Sequence, residues 1–145
     1  MLSQKARYAL RAMLHLASQK RDEPTLIGEI AEQQNVPKKF LELILLDLKK
    51  RGLVHSVRGR NGGYVLGRDP DEISFAEVIR IIDGPLALAP CASRKAYRKC
   101  DDCLDVRTCS IRKALIIARD ATANVLEGIS LSDAMADRTK VSEFA

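Results

Sequence analysis

The sequence predicts a mainly α-helical chain carrying one small β-hairpin, on three observations. Apolar residues recur at helical spacing through most of its 145 residues. A two-residue interruption at Asn35-Val36 separates two helical patterns and is followed closely by a basic, glycine-rich hairpin signal. A late helical pattern carries an apolar seam spaced 4, 3, 4, 3. Together these describe a winged helix-turn-helix head joined to a long dimerisation helix.

The first pattern runs from about Ser3 to Ser18, with Ala6, Ala9, Leu10, Met13, Leu14 and Ala17 on one face. A polar stretch closed by Pro24 follows, and Thr25 is the expected N-cap of a short helix from Leu26 to Gln34 with Ile27, Ile30 and Ala31 inward. Pro37 suits the first turn of the next helix because its missing amide would be unpaired there in any case. That helix runs to Arg51 with Leu41, Ile44, Leu45 and Leu48 inward, and Gly52-Leu53 supplies a Schellman-type stop. A short helix, a tight turn and a second helix opening on Lys38 and Lys39 form a helix-turn-helix pattern.

Val54–Val57 and Tyr64–Leu66 are strand-like, and between them lies Arg58-Gly59-Arg60-Asn61-Gly62-Gly63, where Asn-Gly favours a tight turn. A hairpin directly after such a helix is a wing. Its arginines reach phosphates or the minor groove, while its glycines let backbone approach closely. Arg68-Asp69-Pro70 breaks the chain, Ser74 caps a helix with Val78, Ile79 and Ile82 apolar, and Asp83-Gly84-Pro85 ends it. The long helix from about Ser110 to Glu127 carries the seam Ile111, Leu115, Ala118, Thr122 and Val125, the pattern of a helix that pairs with a second copy. Ser130 and Asp133 fit a capping box for a last short turn, and the final residues read as a frayed tail. The expected divisions are therefore 1–83 for the winged head, 84–109 for a cysteine loop, 110–136 for the dimerisation helix and turn, and 137–145 for a flexible tail.

Charge is asymmetric. Residues 1–68 hold 13 Lys and Arg against 6 Asp and Glu, whereas residues 69–145 hold 11 against 13, so the net charge of +5 is concentrated at one end. Such a distribution is the footprint of a nucleic-acid module joined to a non-binding one. No run of 18 or more apolar residues exists and the N-terminal stretch is amphipathic, which predicts no membrane association and a cytoplasmic chain with reduced thiols.

The run IAEQQNVPKKFLELILLDLKKRGLVHSVRGRNGGYVLGRDP, the opening RYALRAMLHLA and the later VIRIIDGPLALAPC closely resemble the Rrf-two family of bacterial winged-helix repressors, which includes IscR, NsrR and RirA. The resemblance covers Ser3 to Met135. It implies a homodimer that binds partly palindromic double-stranded operator DNA and, in many members, senses iron, redox state or nitric oxide through an iron-sulfur cluster. Lys38, Lys39, Phe40 and Glu42 are then the expected recognition-helix contacts, with Arg58, Arg60 and Asn61 from the wing. Glu42 could accept from cytosine N4 while repelling phosphate, which makes it a selector.

All four cysteines lie in one stretch, Cys91, Cys100, Cys103 and Cys109, with the spacing C-x8-C-x2-C-x5-C. Four thiols gathered in a chain with none elsewhere argue for soft-metal ligation, by zinc or an iron-sulfur cluster. The resemblance favours the cluster. Cluster-binding relatives place three cysteines in this loop, which Cys91, Cys103 and Cys109 could match with Cys100 additional, or Cys100 could replace Cys91 or act as fourth ligand. Where some relatives use a histidine after the last cysteine this chain has Arg112, and where others use an N-terminal aspartate it has Arg7, so an all-cysteine site is the simpler expectation.

Two alternatives stand beside this reading. One keeps the DNA-binding function and makes the cysteines a zinc staple or a thiol-disulfide switch. The other takes Cys100-Asp101-Asp102-Cys103 as a thiol oxidoreductase motif, although the two aspartates disfavour a nearby thiolate and no strand-to-helix context precedes them. His15 and His55 have no evident Ser or Asp partners, so no catalytic residues are expected and the chain is not read as an enzyme.

Overall fold

The structure, a computed structural model, describes residues 1–137; most of the expected tail, 138–145, lies outside the described residues. Six helices and one hairpin make up the described architecture: α1 Gln4–Ser18, α2 Ile27–Gln34, α3 Lys38–Lys50, β1 Val54–Val57, β2 Gly63–Leu66, α4 Phe75–Asp83, α5 Ser110–Glu127 and α6 Leu131–Met135. The mainly helical fold class with a small wing is the one observed.

Helix α1 is the central element, packing against α2, α3, α4, α6 and β2. Ala6, Ala9, Ala12 and Met13 are fully buried along it, and its N-cap Ser3 accepts a hydrogen bond from the Ala6 amide at 3.0 Å. The Ser3 amide donates to Asp83 at 2.9 Å, so the start of α1 is tied to the end of α4. The core continues through Ile30, Leu41, Ile44, Leu45, Leu48, Leu53, Ile73, Val78 and Leu131.

Two local expectations are corrected. Thr25 does not cap α2: Leu26 is the N-cap, without a side-chain bond, and Thr25 pairs with Tyr64 (N to O 2.9 and 2.8 Å) as an added rung beside the wing. Nor does Asn61-Gly62 form a two-residue turn. Val57 pairs with Gly63, leaving a five-residue loop, Arg58 to Gly62, closed by a 3.1 Å bond from the Gly62 amide to the Gly59 carbonyl. Gly63, at φ +149°, lies hard against Thr25 and pairs with Val57 in place of Arg60, so the loop is three residues longer than a two-residue Asn-Gly turn would leave.

The recognition helix ends as its sequence requires. The Leu53 amide donates to the Leu48 carbonyl at 3.0 Å and the Gly52 amide to Lys49 at 3.0 Å, with Gly52 at φ +75°, which is a Schellman cap. The Lys49 ammonium then reaches Ser56 at 2.7 Å and Lys5 reaches Asp47 at 2.8 Å, tying α3 to the wing on one side and to α1 on the other. At the far end of the chain, the Phe75 amide donates to Ile129 at 2.9 Å and the Leu131 amide to Ile73 at 3.0 Å, so α6 returns to the head, with the Ser130–Asp133 capping box in place.

A Cβ on Gly63 would overlap the Thr25 carbonyl oxygen, a backbone atom that cannot swing aside. Gly63→Ala is expected to destabilise the protein by roughly 1–3 kcal/mol and to raise amide exchange at Thr25 and Tyr64, read by thermal melting and hydrogen exchange; unchanged exchange at both amides would contradict the close approach.

Candidate nucleic-acid interface and cysteine loop

The turn between α2 and α3 is made by Asn35 in the left-handed region (φ +51°) and by Val36, which is 3% exposed and donates its amide to Ala31 at 2.9 Å. Burying Val36 fixes how α3 leaves α2. Pro37 is the N-cap of α3, one position earlier than its expected place in the first turn. Because Leu41, Ile44, Leu45 and Leu48 are fully buried, the opposite face of α3 must point outward. Lys39 and Glu42 lie toward it, Lys38 and Phe40 flank the buried stripe in the first turn, and all four are exposed. The Phe40 ring stands 6.4 Å from that of Tyr8, which orients it from α1. Arg58, Arg60 and Asn61 are likewise exposed, at the wing loop.

Two side chains on the same face were not singled out from the sequence. Leu43 and Leu46 are 56% and 47% exposed, one and two turns along α3 from Lys39. Outward leucines between lysines can contact thymine methyls while the cations hold phosphates. The signal was present in the helical phase: the inward set leaves these two positions nowhere to go but solvent.

The cysteine loop has no helix or strand between Ser93 and Cys109. Its first cysteine, Cys91, sits in a single 3-10 turn, Pro90–Ala92, and is buried. Two arginines of α5 hold that turn. The Arg112 Nε donates to the Cys91 carbonyl at 2.8 Å, and the Arg119 Nη1 donates to the Ala92 carbonyl. Arg112 also lies 5.8 Å over the Tyr97 ring, while Arg119 and Arg94 both engage Asp120, at 2.7 and 3.0 Å. Arg112, the position at which some relatives would carry a histidine ligand, is thus a carbonyl clamp.

Cys109 is the N-cap of α5, its sulfur accepting from the Arg112 amide at 3.4 Å. The Cys103 amide donates to the Cys100 carbonyl at 3.2 Å in a tight turn. The Cys100 thiol is pushed above its ordinary value, first by its hydrogen bond with Cys91, then by partial desolvation and by the negative charge of Cys91, Asp102 and Cys103. Cys91, Cys100 and Cys103 therefore interact. Among the described residues, however, no three or more His, Cys, Asp or Glu side chains are gathered to hold a metal ion. The donor set suits a soft metal in kind, being four thiols, without being assembled around one.

Helix α5 has no buried residue although it is 18 residues long. Ile111, Ile117 and Val125 are 73%, 71% and 60% exposed. Leu115 and Ala118, part of the expected seam, are half-buried, and the outward stripe takes in Ala114, Ile117 and Ala121 beside Ile111, Thr122 and Val125.

A family model for Rrf2, described as an iron-dependent transcriptional regulator, matches residues 2–137. The chain belongs to the Rrf2 family. A Rhodobacter capsulatus protein described as rrf2-like is 47% identical over 139 residues, covering 94% of this chain and 93% of that one. The Bacillus subtilis transcriptional regulator CymR is 34% identical, with 91% and 87% covered, and IscR of Photorhabdus laumondii is 41% identical over 71% of this chain and 63% of IscR. The solved B. subtilis CymR, titled the global cysteine regulator, superposes with a TM-score of 0.75 at 34% identity over 97% of this chain and 98% of that one. T. potens IscR does so with 0.72 at 28% identity over 99% and 93%. As a member of the Rrf2 family this chain is a DNA-binding transcriptional regulator and not an enzyme. No helix of the described residues is long and apolar enough to cross a membrane.

The Asp120 carboxyl is held below the usual carboxylate range, first by the hydrogen bond from Arg119 and then by the charges of Arg119 and Arg94, against an opposing desolvation. A carboxyl with a depressed folded-state value stabilises the fold above its unfolded value and loses that contribution as pH falls through the folded one. Protection of the amides at 91–98 should therefore weaken on acidification from about pH 4 downward. In Asp120→Asn it should already be weaker at neutral pH and vary less with acid, as read by hydrogen exchange.

Proposed function

We propose that this chain works as a homodimeric cytoplasmic repressor whose two winged heads bind an operator and whose cysteine loop, occupied by an iron-sulfur cluster, sets their pose. For DNA, the carrying observation is that Lys38, Lys39, Phe40 and Glu42 are all exposed at the start of a helix whose inward stripe is wholly buried, with the basic wing tied to that helix through Lys49 and Ser56. The first residues of α3 read base edges, with Glu42 selecting and Leu43 and Leu46 meeting thymine methyls; Arg58, Arg60 and Asn61 hold the backbone or minor groove. A second copy covers the outward apolar stripe of α5, which no part of the described chain buries.

Cys91, Cys100, Cys103 and Cys109 would hold the group, which would supply reversible redox and ligand-exchange chemistry at iron. The thiols are not gathered beforehand, so ligation must draw the irregular loop together, and loop ordering is then part of the binding free energy. Cys109 caps α5 and the turn holding Cys91 is clamped by Arg112 and Arg119, so any closure of the loop pulls on the helix that joins the two copies. The family's description as iron-dependent supports iron over zinc. A second reading is a thiol-disulfide switch, which the gathering of all four free cysteines in one irregular loop allows. Anaerobic purification separates these: a brown protein with iron and sulfide supports the cluster, stoichiometric zinc a staple, and a metal-free protein losing two thiols on mild oxidation the switch.

If about 6–10 phosphates are neutralised per dimer, operator affinity should fall a thousandfold or more between about 50 and 200 mM salt. Arg58→Ala/Arg60→Ala should flatten that slope in fluorescence anisotropy while leaving base preference intact. Ile117→Glu should convert the dimer to monomer in sedimentation and, with avidity lost, weaken operator binding roughly a hundredfold or more; a dimer that persists would refute the assigned stripe.

A further inference from the structure

We infer that the cleft between α4, the start of the cysteine loop and α5 is a binding site for a small organic dicarboxylate. The cleft has a volume of about 840 Å³, within the range of small-molecule sites. Five cations and three carboxylates line it, and every carboxylate is already engaged. Glu77 pairs with Arg68 at 2.5 Å and Glu127 with Arg80 at 2.5 Å, while Asp120 is shared by Arg94 and Arg119. Arg51 and Lys95 make no ion pair or side-chain hydrogen bond among the described residues.

Those two cations come from different parts of the fold. Arg51 is the C-cap of the recognition helix, and Lys95 belongs to the loop between Cys91 and Cys100. The same wall carries Ile81, Leu86 and Ala123, so a ligand with two acidic ends and a short apolar body would satisfy both cations and cover hydrocarbon. Inorganic anions would satisfy only the charge. The arginines already engaged by Asp120 and Glu127 keep the rest of the wall rigid, leaving Arg51 and Lys95 as the groups that recognise. An occupant would bridge the end of α3 to the cysteine loop, which makes this a second input to the head.

The test uses the full-length chain, melted with about 10 mM succinate or glutarate, against the neutral diamide glutaramide and against sodium chloride at equal ionic strength. Glutarate or succinate should raise Tm where glutaramide and salt do not. In Arg51→Gln/Lys95→Gln the affinity by titration calorimetry should drop tenfold or more, while the unliganded melt stays at the wild-type value, since both side chains are exposed. If the double variant melts lower than wild type, the single Lys95→Gln, in the irregular loop, carries the same comparison. No rise with either acid, an equal rise with salt or glutaramide, or a rise unchanged by the substitutions would overturn the site.

Discussion

The structure depends on how closely other elements can approach α1. Ala6, Ala9 and Ala12 are all fully buried on one stripe of that helix, and the small side chains let α2, α3, α4 and β2 meet around it. A larger residue at any of the three would overpack the centre and displace the elements packed on it, α3 among them. The exposed face of α3 is thus positioned from behind, by what α1 lacks. The contact of Phe40 with Tyr8 and the bridge from Lys5 to Asp47 are the aromatic and polar counterparts of the same arrangement.

Much of this was legible in the sequence because helical phase and cap chemistry are local. The Gly52-Leu53 stop, the Ser130–Asp133 box and the inward face of α3 follow from neighbours a few residues apart. What local pattern misplaces depends on partners distant in sequence. Thr25 looks like a cap within its own segment, but its backbone is taken by Tyr64, far along the chain on the wing. The same contact moved the hairpin closure away from Asn61-Gly62. Leu115 and Ala118 fall within the heptad count yet are half-buried, on a helix whose Arg112 and Arg119 are tied to the 90–92 turn.

The candidate site was legible in part. Clustering alone identified the cysteines, but spacing could not reveal that Cys91 is buried under two arginines or that Cys109 caps a helix. Those facts matter because they connect the loop mechanically to α5. Arginine suits this clamping role because its planar fork reaches a carbonyl while its stem packs on the turn, and a lysine would offer neither fixed direction nor stacking on Tyr97. Arg80, Arg94, Arg112 and Arg119 in this half of the chain thus hold shape, in contrast to the exposed Lys38 and Lys39 of α3.

On the returning α6, Leu131 is fully buried in the same cluster as Met13 and Leu48, and backbone pairing at Phe75 and Ile73 seats it there. The head is therefore discontinuous along the polypeptide: its core is completed by a residue that follows the long helix. The cysteine segment thus lies between two stretches of sequence that pack into one core.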